Sequence, residues 1–445
     1  MVNESEIFLE EIVIYSLTFF LIAAIFISYL MMKRKKSKKM QEKLAKAVET
    51  GLHEPVSLHP VINPDVCIGS GACVKACPEN DVLGLIGGRG HTINASRCVG
   101  HGACFHACPT QAISLVMGSE RRGVELPHVS KKFETNVPGI FIAGELGGMG
   151  LIKNAVEQGK QAVENIAEKI RQNKAEVDFD LLIIGAGPSG ISASLTAKKL
   201  NLSFKTIEQD TLGGTVASFP RAKIVMTSPM ELPLYGKIKL RETSKKDLLK
   251  LWDEVLSKNN ISILENEKAE SLTRMGETIT VVTDKSKYRV KNVLLTIGRR
   301  GTPRKLGTAG ENLEKVSYRL IEPELIYGKN IIVVGGGDSA VETAFLLCDE
   351  NKVALSYRGE GFNRIKERNK ERLDEYIIQN KIKVYLNSNV KEIKEQSVIL
   401  SAGEEIAEFE NDLVYVMIGG ELPNDFLQKA GIRITKKFGE VVLKH

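Results

Sequence analysis

The stretch "DLLIIGAGPSG", beginning at Asp180, can fold in few ways. Its apolar residues read as a buried strand, and Gly185-x-Gly187-x-x-Gly190 reads as a turn too tight, and too close to a ligand, for side chains. The helical pattern that follows opens with unpaired N–H groups, which attract a pyrophosphate. A second strand, "SFKTIEQD", ends at Glu208, an acid suited to a pair of ribose hydroxyls. Flavin adenine dinucleotide (FAD) is the expected ligand.

"NIIVVGGGDSAVETAFLL" repeats this logic with Gly335, Gly337, Ser339 and Ala340. Its second strand, "VALSYR", ends in Arg358 instead of an acid, with Arg364 and Lys366 close behind. A cation there favours a 2′-phosphate, so NADPH is expected over NADH; solvated charge is the alternative account of these side chains. Two such units give an α/β chain with two Rossmann-like domains.

Six of the seven cysteines lie between Cys67 and Cys108. "CIGSGACVKACP" and "CVGHGACFHACP" begin 31 residues apart and share the spacing Cys-x5-Cys-x3-Cys-Pro. Clustering of this kind points to metal rather than disulfides. Zinc sites use closer cysteine pairs and lack the Cys-Pro repeat, which leaves iron-sulfur chemistry as the reading.

From Ile12 to Met32 the chain holds 21 residues without a charge, which as a helix would cross a hydrocarbon layer of about 30 Å. Glu4, Glu6, Glu10 and Glu11 precede it and "KRKKSKK" follows, so a single-pass protein of the cell membrane is expected, with its catalytic domains in the cytoplasm. A cleaved signal peptide would need a basic start and a small-residue cleavage site, and neither is evident. The net charge is +6, and that basic run alone contributes six, so nucleic acid is not an expected partner. Residues 40–62 begin as a plausible polar helix and finish in a linker, where His53 and His59 read as solvated residues.

The cysteine groups resemble two-cluster bacterial ferredoxins, except that Ser70 and His101 stand where each group's second cysteine belongs. The resemblance implies one cluster on Cys67, Cys73 and Cys108 and another on Cys98, Cys104 and Cys77. The fourth iron could be held by Ser70 or His101, could keep water, or could be missing, so 4Fe-4S and 3Fe-4S forms both stay open.

Residues 180–445 resemble low-molecular-weight thioredoxin reductases and their relatives, the ferredoxin–NADP reductases of that type and bacilliredoxin-type reductases. The resemblance implies a flavin domain interrupted by a nicotinamide domain, with Gly213 and Gly214 near the flavin and a homodimer as one assembly. Two departures matter. The family's Cys-x-x-Cys before the second fingerprint is replaced by "VSYRLIEPELIYGKN". The family's closing segment is absent after "KKFGEVVLKH" and stands instead at 133–170, as "FETNVPGIFIAGELGGMG" and a helix, which implies a circularly permuted flavin domain with Gly144 and Glu145 at the cofactor.

The expected organisation is thus 1–36 anchor, 37–62 linker, 63–117 ferredoxin-like α+β domain, 118–172 displaced closing segment, 178–302 FAD-binding domain, 303–418 NAD(P)-binding domain and 419–445 return strand of the flavin domain. The expected function is electron transfer between a nicotinamide cofactor, FAD and the clusters, to or from a redox partner protein or a quinone at the membrane. The cofactors carry the chemistry, and no catalytic side chain need be named. Thiol–disulfide or polysulfide reduction, and a non-enzymatic sensor or scaffold, are the alternatives.

Overall fold

The structure, a computed structural model, describes residues 4–55, 58–79, 81–98, 100, 102–119, 123–148, 150–170, 176–219, 224–226, 229–240, 242–299, 303–363, 365–402 and 405–443. It divides into two compact units: residues 1–123 with 438–445, and residues 124–437.

In the larger unit, a parallel sheet runs in the spatial order Ile140–Ile142, Lys287–Leu295, Phe179–Ile184, Phe204–Ile207. Leu181 to Ile184 are all buried, as expected for a parallel strand covered on both faces. Lys287–Leu295 has one shared edge. Its first residues pair antiparallel with Thr278–Thr283, and its last three pair parallel with Ile140–Ile142.

The segment that precedes the glycine strand in the chain therefore completes that strand's sheet. Helix Ile152–Ile170 follows it and buries Ala155, Val156, Gly159, Ala162, Val163 and Ile166, the three-and-four spacing of one helical face. Gly159 lies against Ser189 of helix Pro188–Lys199, and a Cβ there would overlap the Ser189 carbonyl oxygen. Strand Val124–Pro127 pairs antiparallel with Ile434–Lys437. Asn136 ties the same two regions together: its Nδ2 donates to the Gly431 carbonyl (2.9 Å), and its Oδ1 accepts from the Arg433 N–H (2.7 Å). This is the connectivity of a circular permutation, with the closing segment at the front of the domain.

The second parallel sheet of this unit has the order Val316–Ser317, Leu413–Val416, Asn330–Val334, Lys352–Ser356, Ile382–Tyr385. An antiparallel sheet of Ser388–Ile393, Ser397–Ala402 and Glu405–Glu410 accompanies it.

The smaller unit carries the cysteines. Leu58–Ile62 pairs antiparallel with Ile113–Met117, and short helices Ala72–Ala76 and Ala103–Ala107 each hold one cysteine group. Between the groups lies the hairpin Leu83–Ile86 and Arg89–Thr92.

Three features differ from the sequence reading. The helix of the span and the polar helix expected after it are one element, unbroken over Glu4–Glu49, 46 residues, because the sequence after Met32 contains no glycine or proline until Gly51. His59 is buried within a strand, so the stretch assigned to a linker is largely structured. The chain's last strand, Glu440–Leu443, pairs with the free edge of Ile113–Met117 in the smaller unit rather than with the flavin sheet. An open strand edge offers unpaired backbone groups, and a Val-rich segment is well suited to take them.

Gly159→Val should lower the stability of the larger unit by about 1–3 kcal/mol, because the added carbons have nowhere to go, whereas Gly147→Ala, in open space, should stay within about 0.5 kcal/mol of the parent. Thermal unfolding of the two variants side by side tests the packing of this segment.

Candidate functional site

The first glycine turn forms at the C-terminal end of strand Phe179–Ile184. Gly185 has φ +108°, and a Cβ on it would lie 2.6 Å from the Thr296 carbonyl oxygen. A Cβ on Gly190 would overlap the Gly185 carbonyl oxygen, so helix and turn touch backbone to backbone. Gly187 caps helix Pro188–Lys199 and faces open space, with nothing within 4 Å of a Cβ position. The result is a concave turn of N–H groups at a helix N-terminus, fitted to a pyrophosphate.

Two further loops approach it. Gly214 approaches Gly187 so closely that a Cβ on it would sit 3.2 Å from the Gly187 Cα, and the Gly213 N–H donates to the Ala186 carbonyl (2.9 Å). Gly144 has φ +84°, and its Cβ would lie 3.1 Å from the Ser189 Cβ. The displaced segment therefore reaches the first turn of the fingerprint helix. The Ser189 Oγ, buried beside it, has no hydrogen-bond partner, as expected at a site that receives a polar ligand.

Glu208 is buried at the end of the second strand. Its Oε2 accepts from the Ala186 N–H (2.7 Å) and its Oε1 from the Asp210 N–H (3.0 Å). Burial raises its pKa, and these N–H bonds oppose the rise. The carboxylate is thus held rigid, with lone pairs left for hydroxyl donors.

Two residues here carry no motif signal. The side-chain oxygen of Gln158 accepts from the Gly144 N–H (2.8 Å) and holds the closing turn. Arg299, whose pKa burial lowers, faces the acidic Glu145 and Glu125, which oppose that shift.

At the second fingerprint, Gly335 has φ +146°, and a Cβ on it would lie 2.4 Å from the Met417 carbonyl oxygen. Gly337 caps helix Asp338–Leu347 and faces open space, with Ser339 in its first turn and Ala340 fully buried. Arg358 is exposed at the end of Lys352–Ser356, free to meet a phosphate. Arg364 lies outside the described residues. The Tyr357 ring packs so closely on Gly336 that a Cβ there would overlap it, and it stacks on Phe362 at 5.3 Å. Sequence reasoning missed this tyrosine, which makes the fingerprint's middle glycine obligatory.

The cysteines separate into two cavities. Cys67, Cys73 and Cys108 line one, together with Ser70, Gly71 and Leu85. Cys77, Cys98 and Cys104 line another, together with Glu79 and Leu83. Each cavity thus takes two cysteines from one group and one from the other. His101 lies outside the described residues.

Burial pushes the Cys98 thiol up to about 11 and Cys104 to about 12, and raises Cys73 and Cys77. At Cys108 burial also raises the pKa, but N–H bonds from Ala112 and Thr110 outweigh it and the net shift is downward. Thiols this buried ionise only when a cationic centre joins them, so the donor set fits a metal. Among the described residues no three His, Cys, Asp or Glu side chains converge tightly enough for a single ion. Sulfurs spread around a cavity suit a polynuclear cluster better than zinc. The Gly90 N–H donates to the Cys67 Sγ (3.3 Å) and the Ala112 N–H to the Cys108 Sγ (3.2 Å), bonds of the kind that tune cluster potentials.

A family model described as pyridine nucleotide-disulphide oxidoreductase matches residues 182–444, and a model described as 4Fe-4S dicluster domain matches residues 59–109. The chain is similar to the bacilliredoxin reductase Bdr of Bacillus subtilis, 26% identical over 265 residues that cover 58% of this chain and 82% of that protein. It is similar to the ferredoxin–NADP reductase of Ignicoccus hospitalis, 27% identical over 269 residues that cover 58% of this chain and 83% of that protein. Among solved structures, the bacillithiol disulfide reductase Bdr of Bacillus cereus matches with a TM-score of 0.51 at 25% identity, covering 57% of this chain and 82% of that one.

Gly187→Val should leave the fold intact, since its surroundings are open, yet remove the space above the helix. Flavin content after purification should drop at least about tenfold, on the order of 1.4 kcal/mol or more of lost binding, with the thermal midpoint of flavin-free protein unchanged.

Proposed function

The chain belongs to the pyridine nucleotide-disulphide oxidoreductase family, and from that premise we propose that it is a membrane-anchored enzyme passing electrons between NAD(P)H and a redox partner through FAD and two ferredoxin-type clusters. The observation that carries this reading is the pair of three-cysteine cavities on the same chain as two glycine cradles. When bound, FAD exchanges a hydride with the nicotinamide and single electrons with its partner, and each cluster carries one electron at a time.

The chain's own residues supply binding and orientation. Gly185, Gly187 and Gly190 admit the FAD pyrophosphate, Glu208 holds its ribose, and Gly144, Glu145, Gly213 and Gly214 enclose the remainder. Gly335, Gly337, Ser339 and Ala340 receive the nicotinamide dinucleotide, and Arg358 favours its 2′-phosphate and hence NADPH. Cys67, Cys73 and Cys108 hold one cluster and Cys98, Cys104 and Cys77 the other, with the Ser70 hydroxyl on the wall of the first cavity as an oxygen donor for a fourth iron. A disulfide-reducing mechanism is disfavoured, because Cys348 is the only cysteine outside the two cavities and it is buried in a hydrophobic cluster.

The anchor reading rests on the helix itself. Its apolar part is among the most exposed surface of the described residues, with Phe19, Phe20 and Leu21 each more than 60% exposed. Tyr15 and Tyr29 stand near its two ends, where aromatic residues favour the membrane–water boundary. The partner would then be a protein or a quinone at the membrane.

Anaerobic titration of the detergent-solubilised protein with NADPH should bleach the flavin and bring up the paramagnetic resonance signals of both clusters. A flavin that reduces while the clusters stay oxidised overturns the relay, and a flavin that never bleaches supports a sensor or scaffold instead. Arg358→Ala should raise the KM for NADPH about tenfold, the loss of one charge-assisted bond of about 1.5 kcal/mol, and leave that for NADH unchanged.

A further inference from the structure

The helix that carries the apolar span also forms one wall of the cysteine unit. Ser37, Met40 and Ala47, spaced three and seven apart, turn toward that unit while their neighbours face solvent. The contacts run in order along the helix. A Cβ on Gly88, at the tip of the hairpin, would meet the Lys33 Nζ at 3.9 Å. The Gly87 N–H donates to the Ser37 Oγ at 2.9 Å. Gly84, at the other end of its strand, sits against the Met40 Sδ, 2.9 Å from a Cβ position. Farther on, the Ser96 N–H donates to the Leu52 carbonyl at 2.9 Å, and Gly100 lies against Leu58.

The hairpin tip therefore stands beside the first basic residue after the span. The loop that opens the first cysteine group touches that tip: a Cβ on Gly69 would overlap the Gly88 carbonyl oxygen, and the Arg89 guanidinium donates to the Pro64 carbonyl. The second group lies with Leu52 and Leu58, past the helix end. At about 1.5 Å per residue, the helix from Lys33 to its end at Glu49 spans roughly 24 Å. The two cavities are thus stacked along the direction in which the helix leaves the membrane.

Charge and apolarity agree with this order. Lys33 to Lys39 form the basic run, suited to anionic headgroups. The loop beside the hairpin tip exposes Val66 (43%) and Ile68 (68%), flanking Cys67.

Resting on the anchor reading above, we propose that the unbroken helix sets the cysteine unit at the lipid surface in a fixed orientation, with Val66 and Ile68 in the headgroup layer. The Cys67/Cys73/Cys108 cavity is then membrane-proximal and the Cys77/Cys98/Cys104 cavity membrane-distal. The partner of this face is the bilayer itself. An electron carrier moving in the membrane plane meets the proximal site first.

The test uses the full-length protein in nanodiscs of phosphatidylcholine and phosphatidylglycerol that contain a lipid with a photoactivatable headgroup-level probe, with adducts located by mass spectrometry. Adducts are expected on the span and on residues 61–70, at least fivefold above those on residues 95–104. Inserting seven polar helix-forming residues between Met32 and Lys33 keeps the helix face and lifts the unit by about 10 Å, so the 61–70 adducts should fall at least fivefold while those on the span persist. A second readout is relaxation of the cluster resonances by a gadolinium-chelate lipid. It should be stronger for the cluster whose spectrum changes in Ser70→Cys, and the insertion should abolish that difference. Labelled span with unlabelled 61–70, or equal labelling of both cysteine groups, overturns this inference alone. An unlabelled span overturns the anchor reading and this inference with it.

Discussion

A pyrophosphate set against the first turn of a helix must be met by backbone, because a side chain at that point would fill the space the phosphates need. The larger unit is organised around this constraint. Gly185 and Gly190 are pressed backbone to backbone, and Gly187 is left open. Glu208 is fixed by N–H bonds from the same turn, so the groups that would read the phosphates and the ribose are one rigid piece. The same arrangement recurs at Gly335 and Gly337, where the Tyr357 ring adds a side-chain contact that tolerates only glycine at 336.

That constraint also explains how a reordered chain keeps its fold. The closing segment needs three contacts: a parallel pairing with Lys287–Leu295, a crossing at Gly159 against Ser189, and the approach of Gly144 to the fingerprint helix. None depends on which end of the chain supplies the segment. Val124–Pro127 lies antiparallel to Ile434–Lys437, so the point where the ordinary order would join is spanned by strand pairing and by Asn136 instead of a peptide bond. Loop closure is a modest entropic term, and contacts of this number outweigh it.

The smaller unit obeys a different rule. Buried thiols are costly to ionise without a nearby cation, and burial pushes Cys73, Cys77, Cys98 and Cys104 upward, so six cysteines gathered around two cavities fit metal centres. The swapped membership of the cavities follows from the packing of the two short helices, Ala72–Ala76 and Ala103–Ala107, which lets the final cysteine of each group cross to the other's cavity.

The glycine fingerprints, the cysteine spacing, the apolar span and the out-of-place closing motif were all legible from the order of residues, because each is a local pattern whose chemistry requires particular residue types at fixed spacing. Gln158, Arg299 and Tyr357 were not, since nothing near them in sequence announces a partner that lies across a sheet or beyond a loop. The fate of the last strand was equally hidden: "GEVVL" is a sound strand on any sheet, and only the free edge at Ile113–Met117 decided which one. The sequence by itself determined which cofactors this protein could hold and that it contains an apolar span. Tertiary structure decided that the span continues as a wall of the cysteine unit and that Ser70 faces the first cavity, because both are contacts between surfaces whose register no single segment encodes.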